Sequence, residues 1–244
     1  MRLLTRLVAL IPLMFTTGYT HAESLYISQM KQAEWDSQAF DKSVEKLKKH
    51  KQIEFAEPLK ISPFHFQNVQ NNDDQRDFCV TCHTNLPHRE SERYRSYLNM
   101  HVNFLACTSC HFNPENIDLD YRWYEWSSDS TPNAQSNTKL ILPFYRQGAE
   151  AFSKDHPEIS ALLTEWEAGN LEKRAALHLK IHSPVDSEGP QCGTCHTEDN
   201  PTLDYAKLGF SEEEIELITK NRISRFLNDE AFKDKPIKLM DLLQ

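Results

Sequence analysis

Cys79-Val80-Thr81-Cys82-His83, Cys107-Thr108-Ser109-Cys110-His111 and Cys192-Gly193-Thr194-Cys195-His196 are three copies of one pattern, and together they use every cysteine in the chain. C-x-x-C-H is the attachment pattern of c-type haem. The chemistry sets the spacing: both thiols add to vinyl groups on one porphyrin edge, and the short turn between them presents the next histidine to the iron as an axial ligand. Three plainer uses of paired cysteines compete: a Cys₄ zinc ribbon from the first two pairs, a redox-active dithiol, and a set of disulfide loops. None of them needs the histidines. With 11 histidines in 244 residues, chance puts one behind all three pairs about once in ten thousand chains. The reading is three covalent haem c groups, bound through Cys79, Cys82, Cys107, Cys110, Cys192 and Cys195. His83, His111 and His196 then take the proximal side of the irons.

Prosthetic groups of that size also account for an unusual composition. Only 39% of residues are hydrophobic and only 6 are glycine, yet the chain holds 13 Phe, 8 Tyr and 4 Trp. There are aromatics to pack but few aliphatics for a conventional core, and large apolar macrocycles would fill that gap. Lys and Arg number 27 against 36 Asp and Glu, a net charge of −9. That balance disfavours nucleic acid as a partner, because phosphates need basic side chains. The one sizeable apolar run is N-terminal. Arg2 and Arg6 precede the run from Leu7 to Phe15, and Thr20-His21-Ala22 is a small-x-small cleavage site, so residues 1–22 read as a secretory signal peptide. The run is shorter than the roughly 20 residues a membrane span requires, and Pro12 interrupts it. Cleavage removes Arg2 and Arg6 and no acid, taking the charge from −9 to −11 and leaving no membrane span in the mature chain. The expected location is the periplasm, with the extracellular space as second choice.

Taken together, the motifs resemble those of multihaem c-type cytochromes of the bacterial periplasm. The nearest local likeness is to the NapC/NrfH group of quinol-linked cytochromes. It lies in Phe78-Cys79-Val80-Thr81-Cys82-His83, then a Tyr-containing helix, then His101 six residues before Cys107. This stretch runs from Phe78 to Phe112, with the third motif beyond it. Two features differ: Thr84-Asn85 stand where that group has a methionine, and that group keeps a membrane anchor. The resemblance implies electron-transfer haems with histidine ligands, and not the quinol oxidase role.

What binds the far side of each iron separates a carrier from a catalyst, since a six-coordinate iron exchanges electrons without admitting a substrate. Beyond residue 22, seven histidines remain for three distal positions, with only Met30, Met100 and Met240 as thioether alternatives. His/His ligation is therefore expected. Tyr94, Leu98 and His101 fall at i, i+4, i+7 on one face of a helix from Ser91 to His101, which makes His101 a distal candidate, assigned to the first haem. His65 is flanked by Phe64 and Phe66, fourteen residues before Cys79. His178 has the same offset from Cys192 and shares a helix face with His182, Leu171 and Ala175. His88, five residues after His83, is placed to reach a neighbouring haem. His50 lies in a lysine run and reads as surface. His156 precedes Pro157 and reads as a helix-start residue.

The rest of the chain reads as helix and loop. Glu34 to Gln52 is amphipathic; Pro157 to Gly169 carries helical apolar spacing; Ser211-Glu212-Glu213-Glu214 is a capping box that opens a helix to about Leu227, with Phe210 and Ile215 as a staple. Tyr121–Trp126 and Lys139–Tyr145 are the strand-like runs, around an irregular stretch from Ser127 to Thr138. Trp123 and Trp126 read as packing residues. The expected fold is mainly α: short helices and loops packed around covalent haems, with one small β-hairpin. The expected organisation is a signal peptide (1–22), an N-terminal lobe with two haems (23–126), and a linker and C-terminal lobe with one (127–244). Function reads as electron transfer between periplasmic or membrane redox partners, such as a quinol-linked cytochrome or a terminal reductase. The alternative is a small haem reductase of a nitrogen or sulfur oxyanion, with one open iron.

Overall fold

The structure is a computed structural model that describes residues 24–49, 77–83, 86–91, 94–125, 139–150, 152 and 156–228. The expected signal peptide, His50, His65, Trp126, the 127–138 stretch and anything after residue 228 lie outside them. The described chain is mainly α, with a small antiparallel sheet. None of its helices is long and apolar enough to cross a membrane.

Two helices open it, α1 (Leu25–Lys31) and α2 (Ser37–Lys49). Ser24 caps α1, and one face of this short helix is wholly buried, with Tyr26 at 1%, Ile27 at 2% and Met30 at 1% exposure. Each such side chain contributes about 1.5–3 kcal/mol of apolar burial. These three join Phe78, Phe112, Phe152, Ile159, Leu162 and Leu177 in the largest core cluster, so residues far apart in sequence converge behind the first motif. The buried carboxyl of Glu150 fastens α1 in place. It accepts hydrogen bonds from Ser24 Oγ (2.6 Å), Leu25 N (3.1 Å) and Tyr26 N (2.8 Å).

The first motif folds as a 3₁₀ turn (Phe78–Thr81); then come α3 (Arg95–His101) and α4 (Cys107–His111), the latter being the second motif. Helix α3 is shorter at its start than the periodicity predicts. The hairpin is as expected: β1 (Asp120–Glu125) pairs antiparallel with β2 (Lys139–Tyr145), Tyr121 opposite Pro143 and Trp123 opposite Ile141. A two-residue strand β3 (Gly148–Ala149), absent from the sequence reading, extends the sheet beyond β2. As the central strand, β2 is buried on both faces: Leu140, Leu142 and Phe144 pack with Ala106, and Ile141 packs with Leu105, Leu203, Tyr205 and Leu208.

Helices α5 (Pro157–Ala168) and α6 (Leu171–His182) follow, with Pro157 at the first turn of α5 and the Asn170 side chain capping α6. The third motif is the single turn α7 (Cys192–Cys195). The Ser211–Glu214 capping box is formed in both directions at the head of α8 (Glu212–Thr219), and Phe210 and Ile215 pack into one cluster. The expected single helix to Leu227 is instead two. The chain breaks at Lys220-Asn221, and the Asn221 side chain accepts from Ile223 N and Ser224 N to start α9 (Arg222–Asn228). Helix α2 packs along α6, and α1 also touches α6, so segments on the two sides of residues 127–138 interleave.

Candidate haem-binding site

The three motifs adopt nearly one local shape. In a helical turn, residues at i, i+3 and i+4 are neighbours, so each pair of cysteines and its histidine emerge on one side. His83 N donates to Cys79 O (2.9 Å) and His196 N to Cys192 O (2.8 Å). Outside contacts hold each turn. Asp77 Oδ1 accepts from Cys79 N; Ser109 Oγ donates to Ile141 O (2.6 Å); Tyr205 Oη donates to Cys195 O (2.9 Å). All six cysteines are unbridged, so the disulfide reading has no support in the geometry. A Cys₄ zinc site fares no better. It needs four sulfurs about 2.3 Å from one metal, whereas the sulfurs of Cys79 and Cys107 cluster with an Asp77 oxygen within 4.8 Å and no other cysteine joins that group.

Each motif histidine faces a second histidine. The ring centres of His83 and His182 are 6.0 Å apart, those of His111 and His88 6.1 Å, and those of His196 and His101 6.0 Å. Two metal–imidazole bonds of about 2.0–2.1 Å, plus roughly 1.1 Å from each ring nitrogen to its centre, require about 6.3 Å. The rings thus stand apart by the room one metal ion needs between them. Their planes differ, at 73° for His83/His182, 20° for His88/His111 and 77° for His101/His196.

Hydrogen bonds select the nitrogen each ring offers. The Nδ1 atoms of His101, His182, His111 and His196 lie 2.7–2.8 Å from the carbonyl oxygens of Tyr97, His178, Asp186 and Ile218. His88 Nδ1 lies 3.2 Å from Asn99 Oδ1, and Asn99 Nδ2 in turn donates to His88 O. A carbonyl only accepts, so Nδ1 carries the proton and Nε2 is left as the ligand nitrogen, the second-shell arrangement typical of metal-binding histidine. Burial, the largest influence on each, holds His88, His101 and His182 below the usual histidine range and so in the neutral form a metal needs. At His111 the backbone itself is shaped to the ring. Gly189 has φ +64°, and a Cβ there would stand 3.3 Å from His111 Cε1. A side chain there would be strained by the positive φ and would crowd the His111 ring.

These contacts sort the expected candidates. His88, His101 and His182 each stand opposite a motif histidine. His101 faces the third motif and not the first, because α3 runs toward α7 while α6 brings His182 to His83. His178 stacks on His182, ring centres 4.3 Å apart at 30°, and its Nδ1 lies 3.0 Å from Ser43 Oγ. Burial, then the neighbouring His182, push its imidazole down to about 4. His156 sits at the head of α5 as expected, with its ring against Phe152 and no side-chain cap bond. Trp123 is a packing residue: Nε1 donates to Leu208 O (2.9 Å) beside Phe210. Sequence reasoning missed the Nδ1 acceptors. Those of His101 and His182 follow a helical i−4 rule and were within reach; Asp186 and Ile218 carry no signal.

The second motif lies between the other two. Cys79 and Cys107 are neighbours through Asp77, and Cys110 and Cys195 pack on the same apolar cluster. Asp77 is 1% exposed, with Oδ2 lacking a partner, and burial pushes its carboxyl up to about 6. No curated protein and no solved structure matches the chain. Residues 21–112, which hold two of the three motifs, match the family model for cytochrome c554 and c-prime. That match supports reading the chain as a c-type cytochrome, the class that binds haem c covalently and carries electrons.

Proposed function

We propose that this protein is an exported trihaem c-type cytochrome, working in the periplasm, that carries electrons between redox-partner proteins. The observation that carries the reading is the set of three histidine pairs at 6.0–6.1 Å, each joining one motif histidine to one histidine from elsewhere. When bound, haem c supplies one-electron exchange at iron. The chain's own residues do the rest. The six cysteines anchor, and His83/His182, His111/His88 and His196/His101 clamp. The carbonyls of Tyr97, His178, Asp186 and Ile218 hold the Nδ1 proton, leaving Nε2 for the metal. Tyr26, Phe78 and Phe112 exclude water behind the first two motifs. If each pair held one iron from both sides, no position would remain for a substrate, which favours a carrier over the oxyanion reductase. A quinol-linked cytochrome or a terminal reductase is the kind of partner proposed.

The optical and paramagnetic resonance spectra of the oxidised protein test this. Fully low-spin iron, with no high-spin charge-transfer band and no rapid cyanide binding, is the expected result. A high-spin band with rapid nitrite or cyanide binding overturns the carrier reading and restores the reductase.

A further inference from the structure

One histidine in the centre of the molecule is left without a task by the three pairs. His178 lies on α6 one turn before His182, and residue 178 touches that ring twice. Its carbonyl accepts from His182 Nδ1 at 2.8 Å, and its imidazole stacks on the His182 ring at 4.3 Å and 30°. The stacked ring is itself held. Ser43, on α2 and 2% exposed, has its Oγ 3.0 Å from His178 Nδ1 and 3.0 Å from Ala175 O. With the serine hydroxyl donating to Ala175 O and His178 Nδ1–H donating to Ser43 Oγ, every proton in the chain is placed. Helix α2 therefore fixes His178, and His178 fixes the face of His182.

We propose that His178 is a positioning residue, locked by Ser43, that sets the plane of the His182 ring against His83. A backbone acceptor alone fixes one atom of an imidazole and leaves rotation about that bond; a second ring on its face removes it. Stacked aromatic pairs attract one another beyond simple burial, which selects one ring orientation over another. The consequence is electronic. Near-perpendicular axial imidazoles leave the two π-type orbitals of a low-spin iron almost degenerate and give one low-field resonance, whereas near-parallel planes split them and give a resolved rhombic signal. The pairs at 73° and 77° belong to the first kind and the pair at 20° to the second.

The proposal rests on the bis-histidine reading of His83 and His182, and the experiment separates the two. Paramagnetic resonance of the oxidised holoprotein is recorded for the wild type and for H178A, H178F, S43A and H182A. The wild type should show two low-field features and one rhombic signal. H178A should convert one of the two low-field features to a rhombic or broadened signal, with no high-spin iron. H178F should restore it, because stacking is kept. S43A should give a partial shift and covers the case in which H178A does not fold. H182A should make one iron of three high-spin. If H178A and S43A both give the wild-type spectrum, His178 is a packed helix residue and the proposal falls. If H178A yields high-spin iron and H182A does not, His178 is the ligand, and the reading of that pair fails with it.

Discussion

Glu150 makes the sharpest prediction about what the fold requires. It is 0% exposed, and its two oxygens accept from Ser24 Oγ, Leu25 N and Tyr26 N, so one side chain closes the head of α1. Replacing it by Ala strands one fully buried donor, Tyr26 N, at about 1–3 kcal/mol, and two partly buried ones at about 0.5–1.5 kcal/mol each. The sum is about 2–6 kcal/mol, centred near 4. Glu150→Gln keeps one accepting oxygen, which serves Ser24 and Tyr26 and loses Leu25, so about a third to a half of that loss is expected. The cost falls on α1 first, because the helix is seven residues long and has no stability of its own at that length. Native-state hydrogen exchange reads it directly. A loss of about 4 kcal/mol in local opening corresponds to roughly thousand-fold faster exchange in residues 25–31. Amides of α8, whose residues pack in a different core cluster from those of α1, serve as the internal control. Unchanged protection of α1 in Glu150→Ala would refute the argument that this carboxyl holds the helix.

Intact mass after acid extraction should show three covalent haem additions on the mature chain; fewer additions with free thiols would remove the trihaem reading. Replacing all six cysteines by Ala should give a chain without cooperative thermal unfolding, since the aliphatic content is too low to complete the core alone; a sharp melt would show the haems to be passengers. His101→Ala should make one iron of three high-spin and open to cyanide, and on the observed pairing it is the iron of the third motif, which a parallel change in His196→Ala would identify. Asp77 gives a pH effect: burial raises its carboxyl from 3.8 to about 6. A raised acid binds its proton more tightly when folded, so its stabilisation is complete below about pH 4 and fades as pH rises through about 6, a loss of about 3 kcal/mol. Asp77→Asn should flatten that decline in chemical denaturation between those pH values, and an unchanged slope would show that Asp77 does not titrate there.

The proximal half of the site was legible because it is local. Cysteine, cysteine and histidine at i, i+3 and i+4 need nothing but one helical turn, and that turn forms at Phe78–Thr81, Cys107–His111 and Cys192–Cys195 alike. The hairpin, the α5 boundaries and the Ser211 box were legible for the same reason. The distal half was readable only as a shortlist. Periodicity put His101 on an apolar helix face and put His178 and His182 on a shared one, but which iron a face meets is decided by how helices pack. Helix α2 lies along α6 through Ser43, Ala175 and His178, and nothing in either sequence marks that contact. Nor does any pattern mark Glu150 as the partner of a helix more than a hundred residues earlier. Its burial follows from β3, a two-residue strand too short for periodicity to register.

The order in which histidines are lent between motifs explains why the lobes expected from the sequence are interleaved in space. The first motif faces His182, just upstream of the third. The second faces His88, just downstream of the first. The third faces His101, just upstream of the second. No motif pairs with a histidine of its own segment, so each pair is also a cross-link between distant parts of the chain. The stretch from Arg95 to His111 shows the consequence at its tightest. It holds His101 through the Tyr97 carbonyl, then turns at Ala106, whose N–H donates to Ile141 O, into the second motif. On the proposed ligation, α3 and α4 would serve two irons, and a displacement of this stretch would disturb both. Closing long loops is entropically costly for a chain with so few aliphatic side chains. Under the proposed ligation, a metal held by residues 99, 23 and 95 positions apart, counted from the pair numbers, would offset that cost where a conventional core does not. On the proposed trihaem reading, the low aliphatic content and the crossed histidine pairs are two sides of one design, in which the prosthetic groups would supply both the apolar volume and the long-range connections.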